Sequence, residues 1–410
     1  MRIGIFTDSY PPYINGVSTS IVMLQNALEK QGHQVYIVTV NNKGYSYKYE
    51  NKIIRIPGIP TGIYDYRLTG VYPVRVINKI KKWNLDVIHS QTEFGVGTFA
   101  RIFAKQYNIP LVHTYHTAYE DYVHYITKGH FDKSSKKVVE YLTKFYCDKT
   151  ATELIVPTKK TYDFFKQKYK FERNIHIIPT GIDVERFYKE KFSKEVINKL
   201  SKELGIDRKD FVILFVGRLG KEKSIEVLIE TQQQLIKKYP YCKLMIIGDG
   251  PDREHYNDMV KRMHLEKNVI MVGKVAWEDI PKYYQVANLF ATASRSETQG
   301  LTVIEAMASS LPVVAANDDS FREIVVNDLN GYLFDNKKDY RKIVENLLCN
   351  DEKMIYLSKE ARLSSQNYSS KYFADRVLKV YESAIKTKGV NSRSFFGRFK
   401  SVIKHGWHGK

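Results

Sequence analysis

The segment Ser294-Arg295-Ser296-Glu297-Thr298-Gln299-Gly300-Leu301-Thr302-Val303-Ile304-Glu305-Ala306-Met307-Ala308 sets two carboxylates around a glycine turn, with seven residues between them. An apolar run ends at Ala293, and the spacing after Gly300 predicts a helix starting near Leu301. The amides of residues 298–301 would then be the unpaired donors of a helix start, which suits a phosphate. Glu305 lies about one turn into that helix and reaches the same space from another height. A carboxylate beside a phosphate site is suited to accepting hydrogen bonds from sugar hydroxyls. Taken alone, the pair also reads as a capping Glu297 and a solvated Glu305.

A second cluster, Phe215-Val216-Gly217-Arg218-Leu219-Gly220-Lys221-Glu222-Lys223-Ser224, runs from a strand through a glycine turn into a helix. Arg218 and Lys223 stand where they could clamp a diphosphate; alone they also fit two surface cations. The first strand is followed by Asp8 and then Pro11-Pro12-Tyr13-Ile14-Asn15-Gly16-Val17, where Gly16 would let backbone approach a ligand closely. No Gly-x-Gly-x-x-Gly follows the first strand and no Walker-type motif occurs. Gly248-Asp249-Gly250 lacks the third glycine of a dinucleotide turn. Without an Asp-x-Asp, no metal-chelated nucleotide is expected, so cations and helix N-termini must neutralise a leaving diphosphate.

The elements that must position these residues alternate between strand and helix. Apolar β-rich runs fall at Ile3–Thr7, Gln34–Val40, Ile53–Ile56, Asp86–His89, Leu111–Thr114, Glu153–Val156 and Ile175–Ile178. A second series occupies Phe211–Val216, Lys243–Ile247, Val269–Val272, Leu289–Ala293, Pro312–Ala315 and Gly331–Phe334. Helical spacing covers Thr19–Lys30 and Ser224–Lys238, stopped by Gly32 and Pro240. This alternation predicts an α/β protein of two doubly wound, Rossmann-like domains with parallel sheets. The boundaries fall at 1–185, 186–370 and 371–410, the break lying near Gly181–Phe187. A ligand is expected between the domains, at the carboxyl ends of the strands.

The Arg/Lys pair, the spaced glutamates and the first-strand glycine loop together resemble a retaining glycosyltransferase of the GT-B fold, family four, over about residues 1–385. The resemblance implies two Rossmann-like domains facing a central cleft and a nucleotide-sugar donor on the second. It implies that Arg218 and Lys223 hold the diphosphate and that Glu305 accepts from the ribose. Glu297 and the amides of Thr298, Gln299, Gly300 and Leu301 hold the donor sugar, and the backbone near Val275 reads the base. His116, in His113-Thr114-Tyr115-His116-Thr117, matches the histidine beside the transferred sugar. It further implies front-side displacement with retained anomeric configuration; no resident metal or other cofactor is required by the sequence.

Thr114-Tyr115-His116-Thr117-Ala118-Tyr119-Glu120-Asp121-Tyr122-Val123-His124-Tyr125 and Ser90-Gln91-Thr92-Glu93-Phe94 are similar to the diacylglycerol glucosyltransferases of bacterial membranes. The resemblance implies UDP-glucose as donor and the 3-hydroxyl of 1,2-diacylglycerol as acceptor, with Tyr119 and Tyr122 lining a lipid groove or packing a loop. A family member that sugars an existing glycolipid or polysaccharide precursor would share the donor residues.

Charge bears on the acceptor separately. The chain carries +19, of which residues 1–185 hold +9, residues 186–370 +2 and residues 371–410 +8. Arg75, Lys79, Lys82 and Trp83 lie in a segment patterned like an interfacial helix, which also fits a surface helix packed on the sheet. From Asn391 to Lys410 there is no acid, while Phe395, Phe396 and Phe399 open a helical stripe that ends near Trp407. An anionic membrane surface is the expected partner, not nucleic acid, for which no stacking or groove-reading motif occurs. Three scattered cysteines fit a reducing cytosol, no apolar run is long enough to span a bilayer and the N-terminus reads as a strand; with the charge and the resemblance, a peripheral protein on the cytoplasmic face of the plasma membrane is expected.

Overall fold

The structure is a computed structural model that describes residues 1–12, 16–42, 44–60, 67–116, 143–295, 297 and 299–405, with only the backbone for Leu68, Phe145 and 389–405. Tyr119, Tyr122, Thr298 and Trp407 therefore lie outside the described residues, and of Phe395, Phe396 and Phe399 only the helical backbone is given. The chain divides into two compact units: Met1–Gly181 with Phe373–Lys410, and Ile182–Tyr372.

The first unit is built on β1 (Arg2–Phe6), β2 (Gln34–Asn41), β3 (Lys48–Glu50), β4 (Ile53–Pro60), β5 (Arg67–Thr69), β6 (Val87–Ser90), β7 (Leu111–Thr114), β8 (Glu153–Val156) and β9 (Ile175–Ile177). Their order is β3-β4-β2-β1-β6-β7-β8-β9, with β5 on β4. Pairing is parallel except in the β3–β4 and β4–β5 hairpins. Alternate residues of the central strands feed two cores, as a sheet covered on both faces requires. Ile3, Ile5, Val35 and Ile37 enter one, with Leu24 of helix α1 (Gly16–Lys30). Phe6, Val38 and Val40 enter the other, with Ile77 of α2 (Val74–Lys81) and Phe99 and Phe103 of α3 (Val96–Gln106).

The long terminal helix Ser370–His405 completes the first of these cores. Phe373, Ala374, Val377, Val380, Tyr381 and Ala384 form one buried stripe against β1, β2 and α1.

The second unit contains β10 (Phe211–Val216), β11 (Cys242–Ile247), β12 (Val269–Gly273), β13 (Leu289–Thr292), β14 (Val313–Ala316) and β15 (Gly331–Phe334). The order is β12-β11-β10-β13-β14-β15, parallel throughout. Every strand expected from the apolar runs is present. The hairpin strands β3 and β5 were not expected, because three polar or mixed residues carry no period. In each sheet the order reverses beside the first strand, between β1 and β6 and between β10 and β13, which marks the place where such folds bind ligands.

Val377 is fully buried and Lys379, two residues on, is exposed. Val377→Ala should lower stability by about 2 kcal/mol in urea unfolding of the full chain. Lys379→Ala should stay within about 0.5 kcal/mol of the parent.

Candidate functional site

In the first unit the turns after β1, β6 and β7 supply the candidate residues. Asp8, at the end of β1, turns inward: Thr92 Oγ1 donates to its Oδ2 at 2.6 Å and the Val96 amide to its Oδ1 at 2.9 Å. It thus caps α3 from a neighbouring strand. Burial pushes its carboxyl up to about 6, opposed by these bonds. Gly95 is obligatory beside it, with φ +47° and a Cβ position 2.5 Å from Asp8 Oδ1. Gly16 opens α1, and no described atom lies within 4 Å of where its Cβ would stand.

His116, just past β7, is half-buried, and its Nε2 donates to Gln91 Oε1 at 2.6 Å. Burial drives its pKa down to about 4, with His113 adding to the shift and Glu93 opposing it. His113 donates from Nδ1 to the Ser90 carbonyl (3.0 Å) and faces Glu93 Oε1 with Nε2 at 3.2 Å, so the two side chains share one further proton. Glu93, His113 and Cys147 bring an oxygen, a nitrogen and a sulfur within 4.8 Å of one another, all buried. The hydrogen-bonded pair beside a thiol whose pKa burial raises well above the ordinary range forms a packed polar core, and no metal is assigned to it.

The second unit assembles the other cluster at the ends of β10 and β13. Lys223 reaches across to form an ion pair with Glu297 Oε1, so the two sequence segments meet directly. Arg218 stands exposed beside them in sequence, at the end of β10. Gly248 and Gly250 have a packing role: a Cβ on either would collide with the backbone of Gly217 or Leu219. That close approach explains the glycine pair without a dinucleotide.

Gly300 is the N-cap of the helix Leu301–Ala308, in the left-handed region at φ +68°, ψ +53°. Among the described residues no side chain caps this helix, which leaves its first amides facing outward along the axis. Gln299 is buried, Leu301 half-buried, and the Glu297 carbonyl accepts from Ser320 Oγ. Glu305 accepts a 2.8 Å hydrogen bond from Tyr284 Oη. Desolvation pushes its carboxyl up to about 7, against that bond and the field of Arg186. Val275 follows β12, half-buried and packed on the core. Nearby, the Arg186 guanidinium lies 3.3 Å from the Trp277 ring centroid and donates to its carbonyl.

The candidate membrane residues fare differently. Val76, Ile77 and Ile80 are buried, so α2 is a surface helix packed on the sheet and does not present an apolar face. Trp83 stacks on Tyr36 at 4.8 Å and is committed to packing. Arg75, Lys79 and Lys82 remain exposed, Lys79 lying 3.3 Å from the Tyr49 ring centroid and Arg75 5.9 Å from that of Tyr47. Tyr45 and Val74 are each 71% exposed close by.

Residues 14–186 match the model of Glycosyltransferase Family 4, and residues 196–364 that of Glycosyl transferases group 1. An alpha-monoglucosyldiacylglycerol synthase from Acholeplasma laidlawii is 37% identical over 93% of this chain and 96% of its own. The chain belongs to glycosyltransferase family four. A second alpha-monoglucosyldiacylglycerol synthase, from Streptococcus pneumoniae, is 34% identical over 94% of this chain and 86% of its own. Among solved structures, Anabaena HepE in complex with UDP-glucose superposes with a TM-score of 0.69 at 19% identity, covering 93% of this chain and 99% of that one. The sucrose-phosphate synthase of Thermosynechococcus elongatus gives 0.69 at 18%, covering 94% and 99%. The fold of this glycosyltransferase is therefore GT-B.

The sequence carries no signal for Tyr284, Ser320 or Phe321, and it shows Gln91 only as part of a family-like segment, without its partner. Each acts through a contact between segments distant in the chain. Phe321 Cε1 would lie 2.5 Å from a Cβ at Gly300. Gly300→Ala should therefore destabilise the protein by about 2 kcal/mol, from the left-handed backbone and the clash together, read as a lowered thermal midpoint.

Proposed function

We propose that this family-four enzyme is a retaining hexosyltransferase that moves glucose from UDP-glucose to the 3-hydroxyl of 1,2-diacylglycerol. The observation that carries the reading is the likeness to two alpha-monoglucosyldiacylglycerol synthases along nearly the whole chain, which includes the acceptor-side segments. In this reading Arg218 and Lys223 hold the diphosphate, and Glu297 shares the Lys223 ammonium with it while facing the donor sugar. The first amides of the helix Leu301–Ala308 sit against donor oxygens. Glu305 accepts from the ribose hydroxyls, and the backbone at Val275 reads the base.

The acceptor oxygen forms its bond to the anomeric carbon on the face from which the diphosphate leaves. The bond from that carbon to the phosphate oxygen breaks, and the acceptor proton passes to the departing oxygen. The products are UDP and a monoglucosyldiacylglycerol of unchanged anomeric configuration. His116 lies beside the transferred sugar, neutral at physiological pH because of its burial. The protein contributes positioning and stabilisation of the leaving charge.

Charge supports a lipid surface as the working environment. The unit Met1–Gly181 with Phe373–Lys410 holds 34 basic and 16 acidic side chains, and the unit Ile182–Tyr372 holds 30 and 29. Nearly all of the excess thus lies on the unit that carries His116 and the basic terminal helix. Each cation near an anionic bilayer contributes roughly 1 kcal/mol, so attachment is reversible and peripheral. Among the described residues no helix is long and apolar enough to cross a membrane. In this reading the enzyme works on the cytoplasmic face of the plasma membrane.

The decisive assay supplies UDP-glucose with diacylglycerol or with monoglucosyldiacylglycerol in mixed micelles and reads product mass and anomeric configuration. Transfer to diacylglycerol with retention is expected. Transfer only to the preformed glycolipid would overturn the acceptor assignment. Glu305 accepts hydroxyls best when ionised, so the KM for UDP-glucose should rise as pH falls through about 7. Glu305→Gln should raise that KM at pH 8 and flatten its pH dependence. Binding of the full chain to vesicles containing phosphatidylglycerol should be lost on raising ionic strength from about 0.1 to 1 M.

A further inference from the structure

Gln91, 3% exposed at the end of β6, stands between two imidazoles. Its Oε1 is 2.6 Å from His116 Nε2, while its Nε2 is 3.1 Å from His89 Nδ1 and 3.2 Å from His89 Nε2. An amide oxygen only accepts, so this contact requires the His116 proton on Nε2 and leaves the lone pair on Nδ1.

Gln91 is held in turn by a ring that cannot drift. His89 is fully buried, with Nδ1 2.7 Å from Tyr381 Oη and Nε2 2.7 Å from Thr114 Oγ1. The Tyr381 hydroxyl is buried too, and donating to His89 Nδ1 satisfies it; His89 Nε2–H then donates to Thr114. With both ring nitrogens so engaged, the His89 imidazole packs against the Gln91 amide nitrogen, and the packed row Tyr381, His89, Gln91, His116 runs from the terminal helix to the turn after β7.

We infer that Gln91 is a positioning residue for His116, pinning the imidazole as the Nε2–H tautomer with Nδ1 left as acceptor for a hydroxyl of the bound sugar. This rests on His116 lying beside the transferred hexose. Charge is not what Gln91 controls, because burial keeps His116 neutral, its pKa being near 4. Among the described residues, the titratable groups around it are Glu93, His113 and His89, with Arg101 acting on His113. Among the described residues, Gln91 Oε1 is the group within hydrogen-bond distance of His116 Nε2, and as an acceptor it fixes the proton there.

The test uses the full-length protein with ¹⁵N-labelled histidine, comparing wild type, Gln91→Ala and the isosteric Gln91→Glu. In the wild type, His116 should carry its proton on Nε2. Gln91→Ala should give mixed tautomers and lower kcat about 10²-fold with KM for the donor nearly unchanged. Gln91→Glu places a carboxylate on Nε2–H and should move the His116 titration up by about 1–3 pH units. A wild-type tautomer in Gln91→Ala, or an unmoved titration in Gln91→Glu, would overturn the inference. Should Gln91→Ala fail to fold, the titration in Gln91→Glu decides alone. These spectra need no substrate, so a wild-type enzyme that leaves diacylglycerol unsugared would fault the proposed acceptor and not the role of Gln91.

Discussion

A parallel sheet delivers every strand-to-helix turn to the same edge, and this constraint organises each unit of the protein. Strands β1, β6 and β7 bring Asp8, Gln91 and His116 to one edge of the first sheet; β10 and β13 bring Arg218, Lys223, Glu297 and Gly300 to one edge of the second. In both sheets these strands border the reversal of strand order, where flanking helices diverge and leave turns uncovered. Residues far apart in sequence become neighbours there because hydrogen-bonded register leaves them nowhere else to be. The Lys223–Glu297 pair, 74 residues apart in the chain, is the plainest result.

At these edges, burial without full solvation sets the protonation states. One physical effect moves acids and bases in opposite directions, and always toward the neutral form. His116 falls to about 4, Asp8 rises to about 6 and Glu305 to about 7. Arg218, by contrast, stands exposed to solvent. In the proposed reading a diphosphate would meet the cations Arg218 and Lys223 and helix amides, while His116 and Glu305, partly removed from solvent, would face sugar hydroxyls. Glu305 differs from Asp8 in the use of its oxygens: Asp8 Oδ1 caps α3 and its Oδ2 accepts from Thr92, whereas Glu305 Oε2 accepts from Tyr284.

The features that suggested a membrane in the sequence are of two kinds. The apolar face of α2 and the ring of Trp83 are consumed by packing, so a sequence pattern that fits interfacial insertion proves to be an amphipathic helix covering a sheet. Hydrophobic periodicity alone cannot distinguish the two, since both need one apolar stripe. Net charge is unaffected by that ambiguity. The excess of cations on the unit built around β1 is a property of the surface, and it survives folding.

The amino-acid sequence alone determined the parallel α/β architecture, because buried strands must be continuous apolar runs and crossover helices must repeat between them. It also singled out Arg218, Lys223, Glu297 and Glu305, since a strand, a glycine turn and a helix are contiguous there, although local spacing alone left capping and surface readings open. Only the tertiary structure decided what holds these groups. Gln91 on His116, Tyr284 on Glu305, Ser320 on the Glu297 carbonyl and Phe321 against Gly300 join segments that share no local period. It alone decided that Gly248 and Gly250 serve backbone packing and that Asp8 faces inward. The physical reason is common to all of them: hydrogen bonds and steric contacts between distant segments depend on register and burial, which a one-dimensional pattern of residue types does not contain.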